Sequence, residues 1–176
     1  GIQAAGIFLK ANSSIIGESG NIKLRFPERL NEHELELVMI IGKQGTKIPR
    51  DKALDYVAGY CMGIDMTVRG KEDRSFRKSA DTYSVLGPWL VTADEIADPD
   101  ALEFGIEVDG EVRQRSNTRE LICDVRDLIV RASDVYTLYP GDIIMTGTPD
   151  GVGEVKSGNT RHAWIEQIGE MNVRVV

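Results

Sequence analysis

The chain has 176 residues, 41% hydrophobic and 28% charged, with 21 Lys and Arg against 28 Asp and Glu for a formal charge of −7. This balance suits one globular domain with an ordinary core. It speaks against nucleic acid or an anionic membrane as partner, since both need a basic face, and no run approaches the ~18 apolar residues of a membrane-spanning helix.

Strand patterns come first, at Ile7–Lys10, at Leu35–Ile41 and around Tyr60–Val68. In "IPRDKALDYV", Pro49 and the helical spacing of Ala53, Leu54 and Val57 predict a short helix. Leu86-Gly87-Pro88 reads as a turn, and "TADEIAD" as a helical turn in which Thr92 and Glu95 form a capping box. "LEFGIEVDGEVRQ" predicts a hairpin: Phe104, Ile106 and Val108 alternate with polar residues, and Asp109-Gly110 supplies the turn. A helix follows, capped by Asn117 with Glu120 three residues on, its apolar stripe running from Leu121 and Ile122 through Val125, Leu128, Ile129 and Ala132. "YPGDIIMTGTPDGVG" gives a turn, a short strand and a glycine-rich loop, and "WIEQIGEMNVRVV" a closing hairpin. There is no internal repeat or linker-like tract. Many strands with few, clustered helices predict an α+β class. No charged-then-apolar leader opens the sequence, so Cys61 and Cys123, each in an apolar context, read as reduced core thiols of a cytoplasmic protein.

"NEHELELVMIIG" poses the chemical question. In a strand, Glu34 and Glu36 point to one face, the face that Val38 and Ile40 also use. Side by side at a core margin, two carboxylates repel and are costly to desolvate. A solvated strand end is one answer; a divalent cation between them is the other, because it turns repulsion into attraction. Mg²⁺ and Mn²⁺ prefer oxygen donors and accept a few carboxylates completed by water or substrate. Asp65, interrupting the apolar "GYCMGIDMTVRG", is a candidate third donor or a turn residue. Lys78 in "RKSADTYSVLGPW" is a surface charge or a functional cation. "TGTPDGVG" lacks the Gly-Lys-Ser/Thr ending of a nucleotide-binding loop, yet it could present Thr148 and backbone amides to a ligand.

The ordered series "FLKANSSIIG", "HELELVMIIG", "ALDYVAGYCMGIDMTVRG", "RKSADTYSVLGPWLVTADEI" and "PGDIIMTGTPDGVG" resembles the fumarylacetoacetate hydrolase family across nearly the whole chain. The resemblance implies a mixed-sheet β-roll with flanking helices, commonly a homodimer. It implies Glu34, Glu36 and Asp65 as ligands of Mg²⁺ or Mn²⁺, Lys78 as a catalytic and substrate-binding group, and Thr148 and Arg69 at the substrate. Family members act on 2-keto acids, often acylpyruvates, through an enolate that the cation stabilises. Their hydrolases activate water with a His–Glu pair on a lid upstream of "FLK". Only Gly1 to Ile7 precede that motif here and they hold neither residue, so residues 1–176 read as a single catalytic domain lacking its amino-terminal lid. His33 and His162 match no lid position and receive no role. Glu72 stands where some relatives have a substrate-binding Gln, Ala11 replaces a common proline, and the stretch from Arg69 to Lys78 is short.

The leading expectation is a metal-dependent hydrolase cleaving a C–C bond of an acylpyruvate-like diketo acid. The alternatives are an isomerase or decarboxylase of unsaturated 2-keto diacids in aromatic catabolism, and, in a different class, a non-catalytic protein that binds metal or keto acid.

Overall fold

Apolar residues alternate in segments such as "GEMNVR" and run almost unbroken through "LELVMII" and "VAGYCMGID", and the chain folds accordingly into half-buried and fully buried strands. The computed structural model describes residues 6–176. Its first half forms β1 (Ile15–Gly17), β2 (Asn31–His33), β3 (Leu35–Ile41), β4 (Val57–Asp65), β5 (Thr67–Val68), helix α1 (Arg74–Lys78) and β6 (Ser84–Thr92). Its second half forms β7 (Glu103–Val108), β8 (Glu111–Asn117), helix α2 (Val125–Val135), β9 (Ile143–Met145), β10 (Gly153–Glu154), β11 (Thr160–Ile165) and β12 (Gly169–Arg174).

Three sheets result, in the orders β1-β6-β4-β3-β9, β10-β2-β5 and β12-β11-β7-β8. All pairs are antiparallel except the edge pair β1–β6, which is parallel and makes the largest sheet mixed. One core joins the layers. Leu35, Leu37, Met39 and Ile41 of β3 share it with Phe104 and Ile106 of β7, Ala163 and Ile165 of β11, and Val125, Ile129 and Ala132 of α2. The α+β class and the mixed-sheet roll expected from the sequence are both present.

The other face of β3 and β4 positions the acids. Leu35 pairs with Ile64 and Glu36 with Gly63, and the Asp65 amide donates to the Glu34 carbonyl at 2.8 Å. Directly opposed residues of an antiparallel pair share a face. Glu34 therefore stands opposite Asp65, with Glu36 diagonal to Asp65 and two residues along the same face from Glu34. Gly63 is required there, because a Cβ at that position would lie 2.6 Å from Val38 Cγ2 and 2.7 Å from Met145 Cε.

The β7–β8 hairpin matches its pattern, with left-handed Asp109 (φ 51°) and Gly110 (φ 82°) at the turn. The closing hairpin is β11–β12. Both cysteines are free and buried. Several local expectations are corrected. Residues 7–10 form no regular element; Lys10 is tied to Asp65 and the Tyr83 carbonyl, and the Phe8 ring lies against the Lys78 ammonium. Pro49 precedes a 3-10 helix over Arg50–Tyr56, not an α-helix. Leu86-Gly87-Pro88 lies inside β6. The Thr92–Glu95 contact closes a turn, with Thr92 Oγ1 donating to Glu95 at 2.9 Å. The long helix splits. Asn117 caps a 3-10 turn at Thr118–Glu120, and α2 starts anew with Asp124 accepting from the Asp127 amide. Leu121 and Ile122 are thus off the helix, and Ile122 is 85% exposed.

Candidate metal centre

Glu34, Glu36 and Asp65 converge at the junction of β2, β3 and β4, and one oxygen from each lies within 4.8 Å of the others. Glu36 and Asp65 are buried, Glu34 nearly so. The Glu36 carboxylate accepts the Gly147 amide at 2.7 Å. Gly147 belongs to the loop after β9, which runs on along β3. Thr146 Oγ1 donates to the Leu37 carbonyl at 3.0 Å and Thr148 Oγ1 to the Leu35 carbonyl at 2.8 Å. Gly147 itself takes a left-handed φ of 91°, so the loop can aim its amide at Glu36.

Two ammonium groups enter the cluster. Lys78, the last residue of α1 and 5% exposed, donates to Asp65 Oδ2 at 2.6 Å and Glu34 Oε2 at 2.8 Å, with the Phe8 ring 5.7 Å from its nitrogen. Lys10 bonds Asp65 Oδ1 and donates to the Tyr83 carbonyl at 3.0 Å. Burial acts to lower the pKa of Lys78, but the Asp65, Glu34 and Glu36 carboxylates together hold it above its ordinary value. For Lys10, burial prevails over the attraction of Asp65 and lowers the pKa. Burial, then the Asp65 charge, pushes the Glu36 carboxyl up to about 8. Two ammonium groups alone leave three acids in conflict. An all-oxygen donor set with a buried member that resists ionisation fits a hard divalent cation, which would relieve that conflict.

Arg69 sits at the rim, its guanidinium bonded to Glu32 and 3.8 Å from Glu34 Oε1. Thr148 is half-buried beside the trio, with its hydroxyl hydrogen committed to Leu35. Glu72 forms a two-pronged pair with Arg29 at 3.0 and 2.8 Å, leaving no free carboxylate at that position. His33 is buried in β2 rather than ending a loop, and burial followed by the Arg161 and Arg113 charges pushes its pKa down to about 4. His162 lies on β11 against Glu170, 3.1 Å away. Neither histidine joins the trio.

Two residues of the site escape sequence reasoning. Gln114 on β8 is 1% exposed and ties the site together: its oxygen accepts the Leu35 amide at 3.1 Å, and its nitrogen donates to Thr148 Oγ1 at 2.8 Å and the Pro149 carbonyl at 3.0 Å. In "EVRQRSN" it is one polar residue among many, without a local signal. Lys10 was visible only as part of "FLK".

The family model described as Fumarylacetoacetate (FAA) hydrolase C-terminal matches residues 2–176. A maleylpyruvate hydrolase of Aquipseudomonas alcaligenes is 54% identical over 174 residues, covering 99% of this chain and 61% of its own length. The crystal structure of maleylpyruvate hydrolase from Sphingobium sp. SYK-6 in complex with manganese (II) ion and pyruvate superposes with a TM-score of 0.92 at 45% identity, over 96% of this chain and 63% of that one. A 5-carboxymethyl-2-hydroxymuconate delta-isomerase from Mycobacterium smegmatis gives 0.91 at 39% identity, over 96% of this chain and 68% of that one. The chain thus spans about three fifths of the length of the two hydrolases.

Proposed function

This chain belongs to the fumarylacetoacetate (FAA) hydrolase family, and from that premise we propose that it serves a metal-dependent hydrolase of an acylpyruvate such as maleylpyruvate. The observation that carries the reading is the buried trio of Glu34, Glu36 and Asp65 with Lys78 inside it. We assign the trio to Mg²⁺ or Mn²⁺. The bound cation supplies Lewis-acid stabilisation of negative charge on the substrate's keto oxygen. Hydrolysis puts the water's hydroxyl on the acyl carbon and breaks the C–C bond. The electron pair of that bond passes to the pyruvyl fragment as an enolate, and a proton completes the methyl group. Lys78 holds a positive charge where the enolate forms. Thr148, steadied by Gln114, turns its hydroxyl hydrogen from the Leu35 carbonyl to the carboxylate next to the keto group when substrate enters. Arg69, on the rim and partly open to solvent, faces the far carboxylate of a diacid.

Activation of water needs a base. Neither histidine serves among the described residues, so we propose that the base, a His–Glu pair, comes from a lid segment outside residues 1–176. The isomerase of M. smegmatis favours a second reading: without such a base, the same platform moves protons or double bonds next to the keto group. Either chemistry has a place in aromatic catabolism. We further propose a cytoplasmic homodimer. Two free, buried thiols support the compartment, and an apolar strip on the outer sheet face, with Trp89 60% and Leu90 44% exposed, supports the dimer.

The test is spectrophotometric. Full-length protein loaded with Mn²⁺ is expected to remove the enol absorbance of maleylpyruvate and release pyruvate. Glu36→Gln is expected to weaken Mn²⁺ binding at least ~100-fold by calorimetry and abolish turnover, while far-ultraviolet circular dichroism stays unchanged. Proton movement without pyruvate release would support the isomerase reading. Mn²⁺ binding with no turnover of any keto acid would leave a binding protein only.

A further inference from the structure

The two lysines of the cluster are not equivalent. Lys78 donates only to Asp65 and Glu34, oxygens that the proposed cation also claims. Lys10 shares Asp65 but takes its second hold on the Tyr83 carbonyl, a backbone atom that also accepts the Met66 amide at 3.0 Å. That carbonyl is fixed by the sheet and plays no part in ligation. The segment carrying Lys10 is fixed as well: the Ala11 amide donates to Ser79 Oγ at 3.0 Å, and Ser14 Oγ bonds both the Ala11 carbonyl and Ser84 Oγ at 2.7 Å. An irregular stretch without strand pairing of its own is thereby pinned across the start of β6.

We propose that Lys10 is a positioning residue: it grips Asp65 by Oδ1 and so keeps Oδ2 turned toward Glu34 and Glu36. Lys78, held only by acids, is then the ammonium that a divalent cation releases for the substrate. The charges agree with this division of labour. The three carboxylates outnumber the two ammonium groups by one. A divalent cation makes the cluster positive by one charge, which a monoanionic keto-acid head group cancels. Were Lys10 the displaced group, the Asp65 carboxylate would lose its one tie to the backbone framework through a side chain when it most needs a fixed orientation.

The inference rests on the metal-site reading above, and the sign of one measurement separates it from simple electrostatics. Removing a nearby positive charge should tighten cation binding; removing a positioning residue should weaken it. Mn²⁺ affinity is measured by calorimetry on substrate-free, full-length protein. Lys10→Met is expected to bind Mn²⁺ at least tenfold more weakly than the parent, and Lys10→Arg, which can keep both acceptors, within about threefold of it. Lys78→Met is expected to bind Mn²⁺ as tightly as the parent or more so, while losing the gain in pyruvate affinity that Mn²⁺ confers. Lys10→Gln, uncharged but able to donate to the Tyr83 carbonyl, is read in the same way if Lys10→Met does not fold. Equal or tighter Mn²⁺ binding by Lys10→Met, or by Lys10→Gln in its place, overturns the assignment. A parent that binds no Mn²⁺ overturns the metal site itself.

Discussion

Arg161 shows what a single buried charge costs. It is fully buried on β11, none of its guanidinium nitrogens has a hydrogen-bond partner among the described residues, and burial pushes its pKa down to about 10. Exchanging even a paired buried charge for well-packed apolar side chains is often neutral or stabilising by ~1–4 kcal/mol, and an unpaired one lacks the attraction that offsets its desolvation. Arg161→Met is therefore expected to raise the melting temperature, measured by calorimetry in metal-free buffer; a lower one would mean that the guanidinium has a partner it needs. At this scale the sequence was legible where residue type and period conflict. Glu34 and Glu36 stood out because acids on an apolar strand face break the pattern, and Asp65 because it interrupts "GYCMGIDM". Gln114 and Lys10 did not, since a polar residue in a polar hairpin and a lysine at the end of a short motif break nothing.

Elements were legible in proportion to how local their causes are. The β7–β8 hairpin follows from alternation plus an Asp-Gly turn, and both lie within a few residues. The apolar stripe through Leu121 and Ile122 predicts a longer helix than the one that forms. The actual boundary is set by Asp124, whose carboxylate caps α2 and also pairs with Arg50 from a distant segment. A competing cap and a long-range ion pair lie outside any local window. Close packing between strands is likewise invisible in one dimension. Gly59 of β4 leaves room for β6: a Cβ there would lie 2.3 Å from the Val91 carbonyl oxygen, a backbone atom that cannot swing aside. Gly59→Ala is expected to destabilise the fold by ~1–3 kcal/mol, read as a lower urea midpoint with an unchanged slope.

Across the whole molecule, the roll presents two faces of the same strands to different surroundings. One face of β3 and β4 fills the core. The other carries the acids at one end and, toward β6, a shallow apolar groove lined by Ile40, Cys61, Leu86, Pro88, Trp89 and Leu90. If that strip is where two copies meet, Leu90→Asp is expected to convert the dimer to a monomer in sedimentation velocity while leaving Mn²⁺ affinity within about twofold. A parent that already sediments as a monomer would remove the dimer. The α+β class could be read from many strand patterns with few, clustered helices. The arrangement of three sheets around one core could not, because it depends on pairings such as β1 with β6 that bring together residues far apart in sequence.

The hydrogen bond from Gly147 to Glu36 spans 111 positions of the chain. A nascent polypeptide released only as far as β6 already owns every acid and both lysines, yet it lacks the late loop that stitches along β3. Ion capture should therefore lag behind most of the folding, and a luminescent lanthanide offered during refolding would light up only when the last third of the protein has docked.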